Sequence, residues 1–346
     1  MYLLTEKLVR QLALWIGCLV LVSCGVEQEK HPLLTLTGFT MGTSYNVKIN
    51  EPHLNIDAGR IKSDIDSTLE KINMQMSTYR KDSELSHINQ SHNTDWISIS
   101  DKLFTVIHMA SVISKLSEGA FDITSGPIVN LWGFGPGSRP EEIPSEEMIN
   151  IALNKVGYQF LHVRETPSAL KKDKGDMYID LSGIAKGFAV DEVADYLDEL
   201  AIQDYMVEIG GEVKAKGLNS NGVPWKIGVE KPLADKRLVQ EIIKLDNIAM
   251  ATSGDYRNYF EHDGIRYSHT IDPKAGRPIT HNLVSVTVLH DSAMFADAMA
   301  TALLVMGLEP GMLLAQQNNL AVLFIIKGKD GFVERATDVF FEYSVN

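Results

Sequence analysis

Between Tyr205 and Thr252 the chain reads as strands and little else. Tyr205–Ile209, Glu212–Lys216, Trp225–Glu230, Gln240–Leu245 and Ile248–Thr252 are apolar runs of strand length with short links between them. Earlier, Thr35 to Asn50 alternates as two strands around a turn at Met41-Gly42-Thr43. Helical spacing appears in Ile61, Ile65, Leu69, Ile72 and Met76. It returns after Ser100, a good N-cap, in Leu103, Phe104, Ile107, Ala110, Ile113 and Leu116, and Gly119 ends that run. Residues 133–145, with three Gly and three Pro, read as a surface loop, and Ser145 caps a short helix to about Lys155. A strand Asp176–Leu181 is expected to run into a helix ending near Leu200, its buried stripe Ala189, Val193, Tyr196, Leu197 and Leu200. Strands Leu283–Leu289 and Leu320–Ile326 bracket helices at 292–306 and 309–317. Helices and strands mix without strict βαβ alternation, which places the fold in the α+β class with largely antiparallel strands.

The first two dozen residues are a separate object. Lys7 and Arg10 precede the apolar run Leu12 to Val22, which is too short to cross a bilayer and has the size of a signal-peptide core. It ends in Leu21-Val22-Ser23-Cys24, which looks like a bacterial lipobox. Residues 1–23 are therefore expected to be a signal peptide, 24–34 a tether, and 35–346 one folded domain, with Cys24 lipidated. The two cysteines of the chain are Cys18 and Cys24, so the domain has no disulfide, no thiolate metal site and no cysteine nucleophile. Its stability must come from an apolar core, for which a hydrophobic content of 45% suffices. A net charge of −13 argues against a nucleic-acid partner, since phosphate backbones need a basic surface. One phosphate ester can still be held locally if a metal ion supplies positive charge.

Three segments carry candidate chemistry. In Tyr178-Ile-Asp-Leu-Ser-Gly-Ile-Ala-Lys-Gly187 a strand end, a tight turn and a helix start follow one another. Free amides at a helix start attract phosphate, Lys186 adds a charge, and Asp180 sits where a polar group meets a ligand. The same pattern also serves as a plain strand–turn–helix joint. In Ala296-Asp-Ala-Met-Ala-Thr-Ala302, Asp297 and Thr301 lie four residues apart on one helix face. Carboxylate, hydroxyl and carbonyl oxygens suit a hard cation such as Mg²⁺, although local capping would explain the pair equally well. In Tyr267 to Pro278, a turn at Asp272-Pro273 and Gly276 follows His269, a candidate acid–base group whose type is more often structural. Gly119–Gly135 and Met76–Arg80 add the aromatics Phe121, Trp132, Phe134 and Tyr79, able to stack on a planar ring or to pack a core. No Gly-x-Ser-x-Gly elbow, His-Glu-x-x-His helix or Walker loop is present, and Val207-Glu-Ile-Gly-Gly-Glu212 is not a dinucleotide fingerprint.

In order along the chain these segments resemble the FAD:protein FMN transferase (ApbE) family. The matching pieces are Met41-Gly-Thr43, Ser77–Arg80, Ser83-Glu-Leu85, Gly119–Asp122, Gly126-Pro127, Trp132-Gly-Phe134, Asp180–Gly187, Glu208–Glu212, Thr252–Asp255, His269–Pro273 and Asp297–Thr301. The resemblance implies a T-fold-like flavin transferase architecture. It implies FAD contacts at Met41, Tyr79, Ala120, Phe121, Asp122, Asp180, Lys186 and Ile271. Mg²⁺ would be held by the Gly183 carbonyl, the Asp297 carboxylate, the Ala300 carbonyl and the Thr301 hydroxyl. Many relatives carry Ala where this chain has Gly183, a change that keeps the carbonyl. The implied reaction moves FMN from FAD to a Ser or Thr hydroxyl of an acceptor flavoprotein, a membrane redox subunit, and releases AMP. His269 would take the proton, with Asp180 second. Two other functions stay open at this point: a Mg²⁺-dependent FAD pyrophosphatase, and a flavin-binding lipoprotein without catalysis. The resemblance and the leader together imply a lipid-anchored protein on the periplasmic side of the inner membrane, with the outer membrane as alternative.

Overall fold

Eight strands in chain order make one antiparallel meander, and this sheet organises everything else. They are β1 (Leu34–Thr40), β2 (Thr43–Ile49), β3 (Tyr205–Ile209), β4 (Glu212–Lys216), β5 (Ile248–Gly254), β6 (Leu283–His290), β7 (Ala321–Lys327) and β8 (Phe332–Ala336). Each pairs antiparallel with the next, so their order in the sheet is their order in the chain. The computed structural model describes residues 33–51, 57–137, 140, 142–233, 238–255, 259–263, 265–329 and 331–345. The signal peptide, Cys24 and residues 24–32 of the tether lie outside the described residues, as do positions 138, 139 and 141 of the expected surface loop. Among the described residues no helix is long and apolar enough to cross a membrane.

Period-two patterning explains why the sheet is buried on both faces. Tyr45, Val47, Ile49, Tyr205, Val207, Ile209, Ala249, Ala251, Val286 and Val288 point to one face, where the helices pack. Met206, Val213, Ala215, Ile248, Met250, Leu289, Leu323 and Ile325 point to the other, covered by the hairpin Trp225–Glu230/Val239–Leu245 and by Phe340.

The helices enter as insertions between strands. Between β2 and β3 come α1 (Ala58–Met76), α2 (Glu84–Gln90), α3 (Asp101–Leu116), α4 (Gly126–Leu131), α5 (Glu146–Leu153) and α6 (Ala185–Glu199). Between β6 and β7 come α7 (Ala293–Met306) and α8 (Leu308–Gln317). The apolar stripe Ile61, Ile65, Leu69, Ile72 and Met76 of α1 is buried as its spacing requires. Ser100 caps α3 by accepting from the Leu103 amide, and Ser145 caps α5 by accepting from the Met148 amide. On α6 the inner stripe is Ala189, Val193 and Leu197, whereas Leu200 falls beyond the helix and is 40% exposed.

The expected strand Asp176–Leu181 is not a ladder strand. Only Tyr178 forms a bridge, to Ser125, and the segment is otherwise held by a side chain. The Asn89 amide accepts from the Ile179 N–H at 2.8 Å and donates to the Ile179 carbonyl at 2.8 Å, while the Asp180 N–H donates to the Ile123 carbonyl at 2.7 Å. One asparagine from α2 thus replaces a neighbouring strand, satisfying backbone groups that burial would otherwise leave costly.

Candidate functional site

The site forms where α6 begins and α7 crosses it. Gly187 makes the crossing close: a Cβ there would lie 2.3 Å from the Ala293 carbonyl oxygen and 2.8 Å from the Asp297 Cβ. The approach lets Asp297 Oδ2 accept the Gly187 N–H at 3.0 Å, so a carboxylate of α7 caps α6. The helix start is therefore less open to phosphate than its sequence implies. Ile184 and Ala185 donate to the Leu181 carbonyl, and Gly187 is spent on Asp297. Lys186 supplies the local positive charge through its side chain instead.

Three charged groups meet at this crossing. Lys186 Nζ lies 2.9 Å from Glu212 Oε1 and 3.8 Å from Asp297 Oδ1, and both carboxylate side chains are 4% exposed. Burial pulls the Lys186 ammonium down, but Asp297 and Glu212 together outweigh it and hold the group above the usual lysine range. Glu212 moves up, because burial and the nearby Asp297 charge outweigh the Lys186 charge. Glu212 reaches this place through a tight turn: Gly210 at φ 63° and Gly211 at φ 109° join β3 to β4, a conformation that glycine adopts without strain.

A cavity of about 390 Å³ opens over these groups. Of the residues singled out from sequence, Tyr79, Ala120, Phe121, Asp122, Asp180, Gly183, Lys186, His269, Ile271, Asp297 and Thr301 line it. Gly183 faces Thr301, since a Cβ on Gly183 would come 3.5 Å from Thr301 Oγ1 and 3.2 Å from the Phe121 ring. Met41 and Ala300 are not among the lining residues. Met41 occupies the β1–β2 turn at φ 49° and packs against the main core, and Ala300 is buried on α7.

The polar lining falls into distinct environments. Asp122 has both carboxylate oxygens occupied: Oδ1 accepts from the Thr124 N–H and hydroxyl at 2.8 and 2.7 Å, and Oδ2 from the Tyr158 N–H at 2.8 Å. Burial nevertheless pushes its carboxyl up. It braces the loop that carries Ala120 and Phe121. Asp180 Oδ1 accepts from the Ser182 N–H and hydroxyl at 2.9 and 2.6 Å. Thr301 Oγ1 lies 2.9 Å from Ser253 Oγ, a cavity residue at the end of β5.

Phe134 belongs both to the cavity lining and to an aromatic cluster behind it. Trp132 donates its indole N–H to the Gly276 carbonyl at 2.9 Å and stacks on Tyr267. Tyr267 stacks on Phe260, Phe260 tilts against Phe134, and Phe134 meets His269 edge-on with centroids 6.3 Å apart. Tyr79 stands at the mouth, 67% exposed, its hydroxyl donating to the Phe134 carbonyl at 3.4 Å. The lining thus combines the rings of Tyr79, Phe121 and Phe134 with the charged and oxygen-bearing groups of Asp180, Lys186, Glu212, Asp297 and Thr301, which suits a ligand with a planar end and an anionic middle.

Sequence reasoning gave no role to Glu212 or Ser253. Both lie in stretches that carry the family resemblance, Glu208–Glu212 and Thr252–Asp255, but only the β3–β4 turn and the β5 ladder bring them to the cavity.

The family model described as the ApbE family matches residues 41–324. A protein of Vibrio cholerae named FAD:protein FMN transferase is 51% identical over 323 residues, which is 93% of this chain and 95% of that protein. A Haemophilus influenzae protein of the same name is 43% identical over 340 residues, 97% of each chain. The solved structure of a flavin transferase ApbE from Vibrio cholerae superposes with a TM-score of 0.84 at 50% identity, covering 90% of this chain and 99% of that one.

Proposed function

The chain belongs to the ApbE family, and from that premise we propose that it transfers FMN from FAD to a Ser or Thr hydroxyl of an acceptor flavoprotein, releasing AMP. The observation that carries the proposal is the convergence of Gly183, Lys186, Asp297 and Thr301 on one cavity that the rings of Tyr79, Phe121 and Phe134 also line.

The donors that line the cavity fit Mg²⁺: the Asp297 carboxylate, the Thr301 hydroxyl and the Gly183 carbonyl are hard oxygen ligands, and the Ala300 carbonyl on α7 is the fourth that the resemblance implies. The buried charges also call for a cation, because two carboxylates share one ammonium. Mg²⁺ bound there supplies charge neutralisation at the diphosphate of FAD.

The chain's own residues do the rest. Tyr79, Phe121 and Phe134 hold the planar ring. Lys186 faces the diphosphate and stabilises charge on the departing AMP. The acceptor oxygen bonds to the FMN phosphorus while the bond from that phosphorus to the bridging oxygen breaks, a transfer that needs alignment and charge balance more than covalent help. His269 takes the acceptor's proton, with Asp180 the second candidate.

Incubating the protein with FAD, Mg²⁺ and an acceptor peptide tests the reading. Covalent flavin on the acceptor with equimolar AMP supports it. AMP release indifferent to acceptor indicates a pyrophosphatase, and bound FAD with no AMP a binding protein. His269→Ala should bind FAD normally and slow transfer by about 10²–10⁴-fold, the range expected for a lost general base; an unchanged rate removes His269 from that role. Asp297→Ala should abolish the Mg²⁺ dependence of turnover.

The leader supports a location. Signal-peptide cleavage before Cys24, lipidation of that thiol and anchoring at the periplasmic face of the inner membrane would place the cavity among exported redox proteins. Cys24→Ala should release the protein from the membrane fraction and end its labelling by a fatty-acid probe; retention in membranes would refute the anchor.

A further inference from the structure

No step of the proposed transfer uses Glu212, yet the Gly-Gly turn delivers its carboxylate to the cavity wall beside Lys186. We propose that Glu212 is a positioning residue that holds the Lys186 ammonium off Asp297 and so keeps that carboxylate open to a divalent cation. The inference rests on the reading of the cavity as a cation-assisted site.

The distances define the arrangement. Lys186 Nζ is within hydrogen-bond reach of Glu212 Oε1 at 2.9 Å and outside it for Asp297 Oδ1 at 3.8 Å. Asp297 Oδ2 is already occupied by the Gly187 N–H. Oδ1 is the oxygen left to a metal ion, and Lys186 is the cation beside it. An ammonium between two buried anions goes to whichever holds it best, because charge attraction is strong where water is excluded. Remove the charge of Glu212 and Asp297 becomes the partner that remains.

Two further features fit this role and not a merely structural one. Glu212 Oε2 is buried without a hydrogen-bond partner among the described residues, a state that costs stability and that an apolar side chain would avoid. Gly210 also clears the path of the lysine stem, since a Cβ there would stand 3.2 Å from Lys186 Cδ. The turn thus leaves room for the lysine and provides its anchor.

The test is calorimetric titration of Mg²⁺ into the FAD-free protein as wild type, Glu212→Gln, Lys186→Met and the double variant. Glu212→Gln should weaken Mg²⁺ binding by about tenfold or more, the usual effect of losing a group that orients a metal site. In the Lys186→Met background the same change should do little, about threefold at most, because the competitor is gone. Equal weakening in both backgrounds would mean that Glu212 attracts the cation directly and would overturn the proposal, as would no weakening in either. A crystal structure of metal-free Glu212→Gln gives an independent readout. Lys186 Nζ should close from 3.8 Å to hydrogen-bond contact with Asp297 Oδ1, and an unmoved ammonium overturns the proposal whatever the titration shows. A wild-type protein that takes up no Mg²⁺ would instead refute the cation reading itself, while the position of the ammonium still decides what Glu212 does.

Discussion

Lys172 is fully buried and its ammonium donates to three carbonyls, those of Ile88 at 3.0 Å, Ser91 at 2.5 Å and Gly175 at 3.1 Å. It ties the end of α2 to the segment that leads toward Asp180. Replacing it by Met keeps the bulk but strands those acceptors, and the expected loss is about 2–4 kcal/mol in urea unfolding. Burial also holds its ammonium below the usual lysine value, with Asp176 opposing weakly. The unfolded chain then binds this proton more tightly than the folded one. Stability of the wild type relative to Lys172→Met should therefore rise with pH between the depressed folded value and the ordinary lysine value of 10.5, and stay level below that window. A difference that falls over this window would show that the charged form is the one favoured by folding. At this same scale the sequence was uneven as a guide. Asp297 and Thr301 declared themselves by their spacing on one helix. Glu212 and Ser253 did not, because each belongs to a strand whose neighbours are fixed only by long-range pairing.

At the level of elements, the α6–α7 crossing decides whether the site exists. Gly187→Ala would drive a methyl group into the Ala293 carbonyl and the Asp297 side chain. Backbone cannot give way as a side-chain tip can, so the helices must separate, at about 1–3 kcal/mol or more. The expected outcome is a folded protein of lower melting temperature that binds FAD poorly; retention of wild-type FAD affinity would mean that the crossing tolerates expansion. Elements with strong periodicity, such as α1, α3 and β3–β4, were legible because the pattern that buries them is local. The segment 176–181 was misread as a strand because its apolar alternation is real while its partner is the Asn89 side chain, about ninety residues away. Short α2 and α4 were not anticipated at all. Each is held by what surrounds it: Ser83 accepts from the Ser86 amide at the start of α2, and α4 packs on α5 around Ile128, Trp132 and Ile149. Seven or fewer residues carry too little repeat to announce a helix.

For the molecule as a whole, the meander makes strand order simple and distances along the chain unequal. Strands β5 to β8 with α7 and α8 occupy one stretch, from Ile248 to Ala336. Pairing β2 with β3 instead brings Ile49 to Tyr205 across everything from residue 50 to residue 204. Closing a longer loop costs more entropy, and pairings far apart in sequence form slowly. In pulse-labelled hydrogen exchange during refolding, amides of β5, β6 and β7 should gain protection before those bonded between β2 and β3; simultaneous protection would show that the sheet assembles as one unit. The timing bears on what a half-finished chain can do. Because the cavity takes Asp297 and Thr301 from the early-closing stretch and Gly183 and Lys186 from the late one, a partly folded intermediate would own no complete pocket. Such a chain would have nothing with which to close around a dinucleotide until the last strands are paired.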